Sequence, residues 1–68
     1  MTMELFINGK PETYPCFKNL GELWLHLGLP SYGIAIELNG QVVSKKHYDQ
    51  TPLSSRDRLE IVRLVGGG

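Results

Sequence analysis

Cysteine is almost missing from these 68 residues. Cys16 stands alone, so no internal disulfide and no four-cysteine zinc site can form. Secreted domains of this size are usually stapled by disulfides, and their lack points to a reducing, cytoplasmic setting. An excess of one charge is missing too: 7 Lys and Arg balance 7 Asp and Glu. A nucleic-acid binder of this size would carry a basic excess, and no block of like charges marks an anchor. There is no apolar run of the roughly 18 residues that a membrane span needs. Met1 to Leu5 lack the basic start and apolar stretch of a signal peptide. What remains is one small domain, expected to be monomeric when alone. Its core must be small and aliphatic, because chains of about 60 residues bury only about 60% of their unfolded surface.

Met3, Leu5 and Ile7 alternate with Glu4 and Phe6, the pattern of a strand with one buried face. Asn8-Gly9 follows, the strongest short hairpin signal, and residues 10–14 form the return strand. Pro11 restricts that strand to a sheet edge or makes it a strand start. Asn19 predicts a helix N-cap, with Glu22 three residues on in a capping-box relation. Leu20, Leu23, Trp24 and Leu27 form one apolar stripe at helical spacing. Gly28 supplies the C-terminal cap and Pro30 prevents continuation. Gly21 weakens the first turn by up to roughly 1 kcal/mol. Residues 34–38 read as a third strand, turned by Asn39-Gly40 into Gln41-Val42-Val43. Residues 44–52 read as a polar loop with one short helical turn, and Ser54 to Asp57 as a turn before a last strand, 58–65. The order β-β-α-β-β-β with one amphipathic helix is an α+β, β-grasp layout, with four or five strands in a mixed sheet against one main helix. Residues 1–65 make the domain and 66–68 a flexible glycine tail.

On the last strand, Leu59 and Ile61 share one face, while Glu60, Val62 and Leu64 share the other. With Leu59 and Ile61 on the helix, Val62 and Leu64 are left open. Small sheets often show such residues to solvent; next to the tail, they read as a partner-docking face. Gly66, Gly67 and Gly68 have a bland reading as a disordered terminus or cloning scar. No helix follows them, so they cannot cradle a phosphate on helix amides. Their functional reading is a side-chain-free thread that brings the Gly68 carboxylate into a narrow active site. A carboxylate becomes electrophilic only when its oxygen is made a good leaving group, as in an acyl-adenylate.

Other candidates carry less. Cys16 reads as a small apolar filler rather than a nucleophile. His26 and His47 lie 21 residues apart and read as solvated. Asp49, Asp57 and Glu60 show no paired-acid spacing. Lys45-Lys46 reads as a solvated loop, and Trp24 as core. No catalytic residue and no metal ligand is assigned.

The segments Leu5-Phe6-Ile7-Asn8-Gly9, Glu22-Leu23, Ile34 to Val43, Asp57 to Ile61 and the Gly-Gly end together resemble the ThiS family of sulfur carriers in thiamine biosynthesis, over almost the whole chain. The resemblance implies a ubiquitin-like β-grasp fold and a role as protein cosubstrate rather than enzyme. It implies that an E1-like adenylating enzyme of ThiF type activates Gly68 with ATP and magnesium, which the chain itself does not hold. A persulfide donor then converts Gly68 to a thiocarboxylate, and a thiazole synthase of ThiG type takes the sulfur. Gly66 and Gly67 would thread into these partners, and Val62 and Leu64 would belong to the face they meet. The chain departs from the family pattern in its third glycine, in the connector Tyr14 to Lys18, and in Asn19 at the helix start. The alternatives are a sulfur carrier for molybdopterin or another pathway, a ubiquitin-like modifier, and a plain binding module.

Overall fold

Both Asn-Gly pairs turn the chain as a two-residue hairpin loop demands. Asn8 and Gly9 hold φ of 51° and 83°, and Asn39 and Gly40 hold 52° and 90°. The computed structural model describes residues 1–64. The first turn joins β1 (Thr2–Ile7) to β2 (Lys10–Pro15), and the second joins β3 (Ile34–Leu38) to β4 (Gln41–Val43). Between the hairpins lies α1 (Leu20–Leu27); after them come a 3-10 helix (Lys45–Gln50) and β5 (Arg58–Arg63). The strands form one sheet in the order β2-β1-β5-β3-β4. β5 runs parallel to β1 and antiparallel to β3, so it joins the two hairpins into a single mixed sheet. Pro11 sits on the outermost strand, where its missing N–H breaks no interior ladder.

The helix begins and ends as its sequence dictates. The Asn19 side chain accepts from the Glu22 N–H at 3.0 Å. Glu22 returns the bond to the N–H of Lys18 at 2.7 Å, one residue before the cap rather than at the cap itself. Gly28 closes the helix at φ 67°, its N–H donating to the Leu25 carbonyl. Gly21 leaves room for two side-chain oxygens, one of them on Asp49, which is exposed and can swing aside. A Cβ there would collide with the Asp49 carboxylate of the 3-10 helix and press on the Asn19 Oδ1 cap at 3.1 Å.

The core consists of Met3, Leu5, Leu20, Leu23, Ile36, Tyr48, Leu53 and Leu59. Five of these, Leu5, Leu20, Leu23, Ile36 and Leu59, are fully buried, each stabilising the fold by about 1.5–3 kcal/mol. Leu59 sits in register with Ile7 on one side and Leu38 on the other, so β5 supplies the middle of the apolar layer.

Residues 44–52 hold the expected helical turn, and three other expectations need correction. Residues 45–50 are an ordered 3-10 helix that buries Tyr48. The next segment is fastened to the helix start by Leu20 N–H donating to the Thr51 carbonyl at 2.8 Å, which seats Leu53 in the core. Trp24 is half-buried at the rim rather than in the core. It packs edge-on against Tyr48 at 6.3 Å and lies under the Lys45 ammonium at 4.8 Å. Cys16 is exposed and fills no gap; the neighbouring Phe17, not Cys16, packs against the core. β5 also ends at Arg63 rather than at residue 65; Val65 lies outside the described residues.

Candidate functional site

The site is built on β5. Strand alternation turns Leu59 and Ile61 toward the helix and Val62 away from it. Leu59 is 1% exposed and Ile61 is half-buried, whereas Val62 is 43% exposed and Leu64 57% exposed. One helix cannot cover both faces of a five-stranded sheet, so the outer face stays open. Across it, Val62 is in register with Ala35, and Glu60 with Glu37, which in turn faces Val42. Further along, the Arg58 guanidinium lies 4.8 Å from the Phe6 ring. The apolar end of this face, formed by Ala35, Val62 and Leu64, is the end at which β5 finishes. The expected pair Val62 and Leu64 is therefore exposed on one face, and Ala35 and Val42 extend it. Reading period two on β3 and β4 as well, and pairing the strands in register, would have found those two.

Leu64 is fixed at the base of the tail. Its N–H donates to the Gly33 carbonyl at 2.8 Å. Pro30, Tyr32, Gly33, Ile34, Arg63 and Leu64 line an open cleft of about 400 Å³ there. Tyr32, 82% exposed, stands on the loop from α1 to β3. Lys45 secures that loop by donating to the Ser31 carbonyl at 2.9 Å while its ammonium lies over Trp24. Lys45 is thus more than a solvated loop residue, although its side chain remains exposed. Tyr32 was missed because an isolated aromatic in a loop carries no periodic signal.

The remaining candidates stay apart from this end of β5. His26 is exposed, as expected, but packs on Phe17 at 5.2 Å and edge-on to Tyr14 at 5.7 Å. His47 is exposed on the 3-10 helix. Burial, and then a hydrogen bond to Glu12, raise the Tyr14 hydroxyl above its ordinary pKa; burial alone raises that of Tyr48. Among the described residues, no three His, Cys, Asp or Glu side chains converge to hold a metal, and no helix is long and apolar enough to cross a membrane. Gly66, Gly67 and Gly68, the expected thread and reactive terminus, lie outside the described residues.

This arrangement has relatives. A thiazole synthase of Paramagnetospirillum magneticum is 36% identical over 66 residues, which is 97% of this chain and 20% of that protein. The chain thus spans about a fifth of the length of the synthase it matches. The sulfur carrier protein ThiS of Bacillus subtilis is 40% identical over 35 residues, covering 52% of this chain and 53% of that one. The crystal structure of the thiamine biosynthesis protein ThiS from Geobacter metallireducens superposes with a TM-score of 0.82 at 33% identity, covering 97% of this chain and 100% of that chain. The model of the ThiS family matches residues 5–68, and the chain belongs to that family.

Proposed function

We propose that the chain is a sulfur carrier of thiamine biosynthesis, a protein cosubstrate whose Gly68 carboxylate is the reacting group. An adenylating enzyme of ThiF type would thread Gly66 and Gly67 to its ATP and magnesium. The carboxylate oxygen attacks the α-phosphorus of ATP; pyrophosphate leaves and an acyl-adenylate forms. The terminal sulfur of a persulfide then attacks the carbonyl carbon and AMP leaves. A thiol cleaves the resulting S–S bond, so that the donor side ends as a disulfide and Gly68 carries a thiocarboxylate. A thiazole synthase of ThiG type takes up that sulfur.

The observation that carries this reading is the placement of the strand leading to the glycines. β5 is the central strand, and it exposes Val62 and Leu64 on an uncovered face just before residues 66–68. Membership of the ThiS family supports it, as does the occurrence of a stretch like this chain within thiazole synthases.

The test is the intact mass after incubation with the host adenylating enzyme, ATP, magnesium and a persulfide source. The expected result is a gain equal to one oxygen exchanged for sulfur, mapped to Gly68 and lost on deletion of Gly67 and Gly68 without loss of the fold. An unchanged mass, with the enzyme active on a known carrier, overturns the reading and leaves a modifier or plain binding module.

A further inference from the structure

Asn8 does more than turn the first hairpin. Its backbone N–H donates to the Leu59 carbonyl at 2.9 Å. Its side-chain Oδ1 accepts from the Ile61 N–H at 2.7 Å, and its Nδ2 donates to the Ile61 carbonyl at 3.4 Å. The paired register of β1 with β5 consists of Phe6 with Arg58 and Ile7 with Leu59, after which the chain turns away into β2. The Asn8 amide therefore adds a rung that the backbone of β1 cannot supply.

The next rung is empty. Main-chain groups that face one neighbour recur every second residue, so Arg63 faces the same side as Leu59 and Ile61. No hydrogen bond reaches it from that side among the described residues. Toward β3, by contrast, the pairing runs to Arg63 opposite Ile34, and the N–H of Leu64 donates to the Gly33 carbonyl. Among the described residues, Asn8 is thus the last tether on the β1 side of β5.

We propose that Asn8 is a positioning residue for the chemistry of the tail: its side-chain amide fixes the end of β5 and so the direction in which residues 66–68 are presented. This rests on the reading that Gly68 is the reacting group. A residue that served only the turn would behave differently. Glycine takes positive φ at least as readily as asparagine, so Asn8→Gly keeps the turn and removes the amide. Asn8→Asp tolerates the same φ and keeps an acceptor for the shorter bond, the one from the Ile61 N–H.

The experiment compares the wild type, Asn8→Gly and Asn8→Asp by amide hydrogen exchange and by steady-state adenylation with the host enzyme. In the wild type, the Ile61 amide is expected to exchange more slowly than that of Arg63. Asn8→Gly should speed exchange at Ile61 and raise KM about fivefold, the equivalent of one ordinary hydrogen bond, with kcat unchanged. Asn8→Asp should restore both readouts. Equal exchange at Ile61 and Arg63 in the wild type, or a wild-type KM for Asn8→Gly, overturns the proposal while the functional reading stands. A wild type that is never adenylated by an enzyme active on a known carrier overturns both.

Discussion

The N–H of Leu64 donates to the carbonyl of Gly33 at 2.8 Å, so the strand that leads to the glycines is fastened to the loop between α1 and β3. That loop is held in turn at Ser31 by Lys45, whose ammonium rests over Trp24. The anchor of Leu64 is therefore tied to elements distant in sequence: the loop before β3, the 3-10 helix and the rim of the helix.

Gly33 holds φ at 74°, where an L side chain is strained even with open space around it. Gly33→Ala should cost about 1–2 kcal/mol of stability. It should also raise the KM of the adenylating enzyme, because the Leu64 anchor shifts. Thermal unfolding and steady-state kinetics check this, and wild-type values in both would reject it.

Val62 is 43% exposed on the uncovered face. Val62→Asp should change stability by about 0.5–1 kcal/mol, the range for a strand surface position. The same carboxylate at the centre of a partner interface should weaken binding by about 2 kcal/mol or more. Calorimetric titration against the adenylating enzyme, beside a melting curve, separates the two. Equal losses in stability and affinity would place Val62 in the fold's own packing instead.

Gly21 sits where alanine would favour the helix by about 1 kcal/mol on propensity alone. Contact with Asp49 and the Asn19 cap opposes that gain. Asp49 is exposed and can turn aside, so the pressure on the Asn19 cap decides the sign: Gly21→Ala is expected to gain less than the propensity figure, with Asp49→Ala recovering any share that Asp49 holds back. The double-mutant cycle should show a coupling of up to about 1 kcal/mol; additivity within about 0.3 kcal/mol would show that the two residues do not compete for space.

Burial holds the Tyr48 hydroxyl above its ordinary pKa, and burial together with Glu12 does the same for Tyr14. An acid whose folded pKa is raised binds its proton more tightly when folded. Its contribution is complete below the unfolded value of about 10 and is lost as pH rises through the folded value. The melting temperature should therefore fall in alkali, and Tyr48→Phe should flatten that fall while changing little at neutral pH. Superimposable alkaline profiles for variant and wild type would assign the loss to other groups.

Local chemistry was legible in the sequence. The two Asn-Gly turns, the Asn19 and Gly28 caps and the alternation of Val62 with Ile61 each depend on residues a few positions apart. Contacts across the fold were not. Asn8 meets Ile61 at a separation of 53 residues. Asn39 receives the Arg58 N–H across 19 residues and donates to Asp57 across 18. Each looks like a turn residue alone, yet each also clasps β5, from opposite sides. Tyr48 and Leu53 reach the core from an aperiodic segment that the helix start ties down, so no pattern announced them. The stripe that placed Trp24 inside was sound as a periodicity: Trp24 packs against the core, but its ring stays partly exposed under the Lys45 ammonium.

β5 is the latest strand in sequence and the middle strand in space. Its neighbours β1 and β3 do not pair with each other. Without β5 the two hairpins share no strand ladder, and an isolated hairpin is marginal. Closure across the full span from β1 to β5 is the kind of long-range pairing that delays folding. The same event completes the sheet and creates the outer face on which Val62 is exposed. A half-folded chain thus has no such face to offer, and an enzyme that reads this face is also checking that folding has finished.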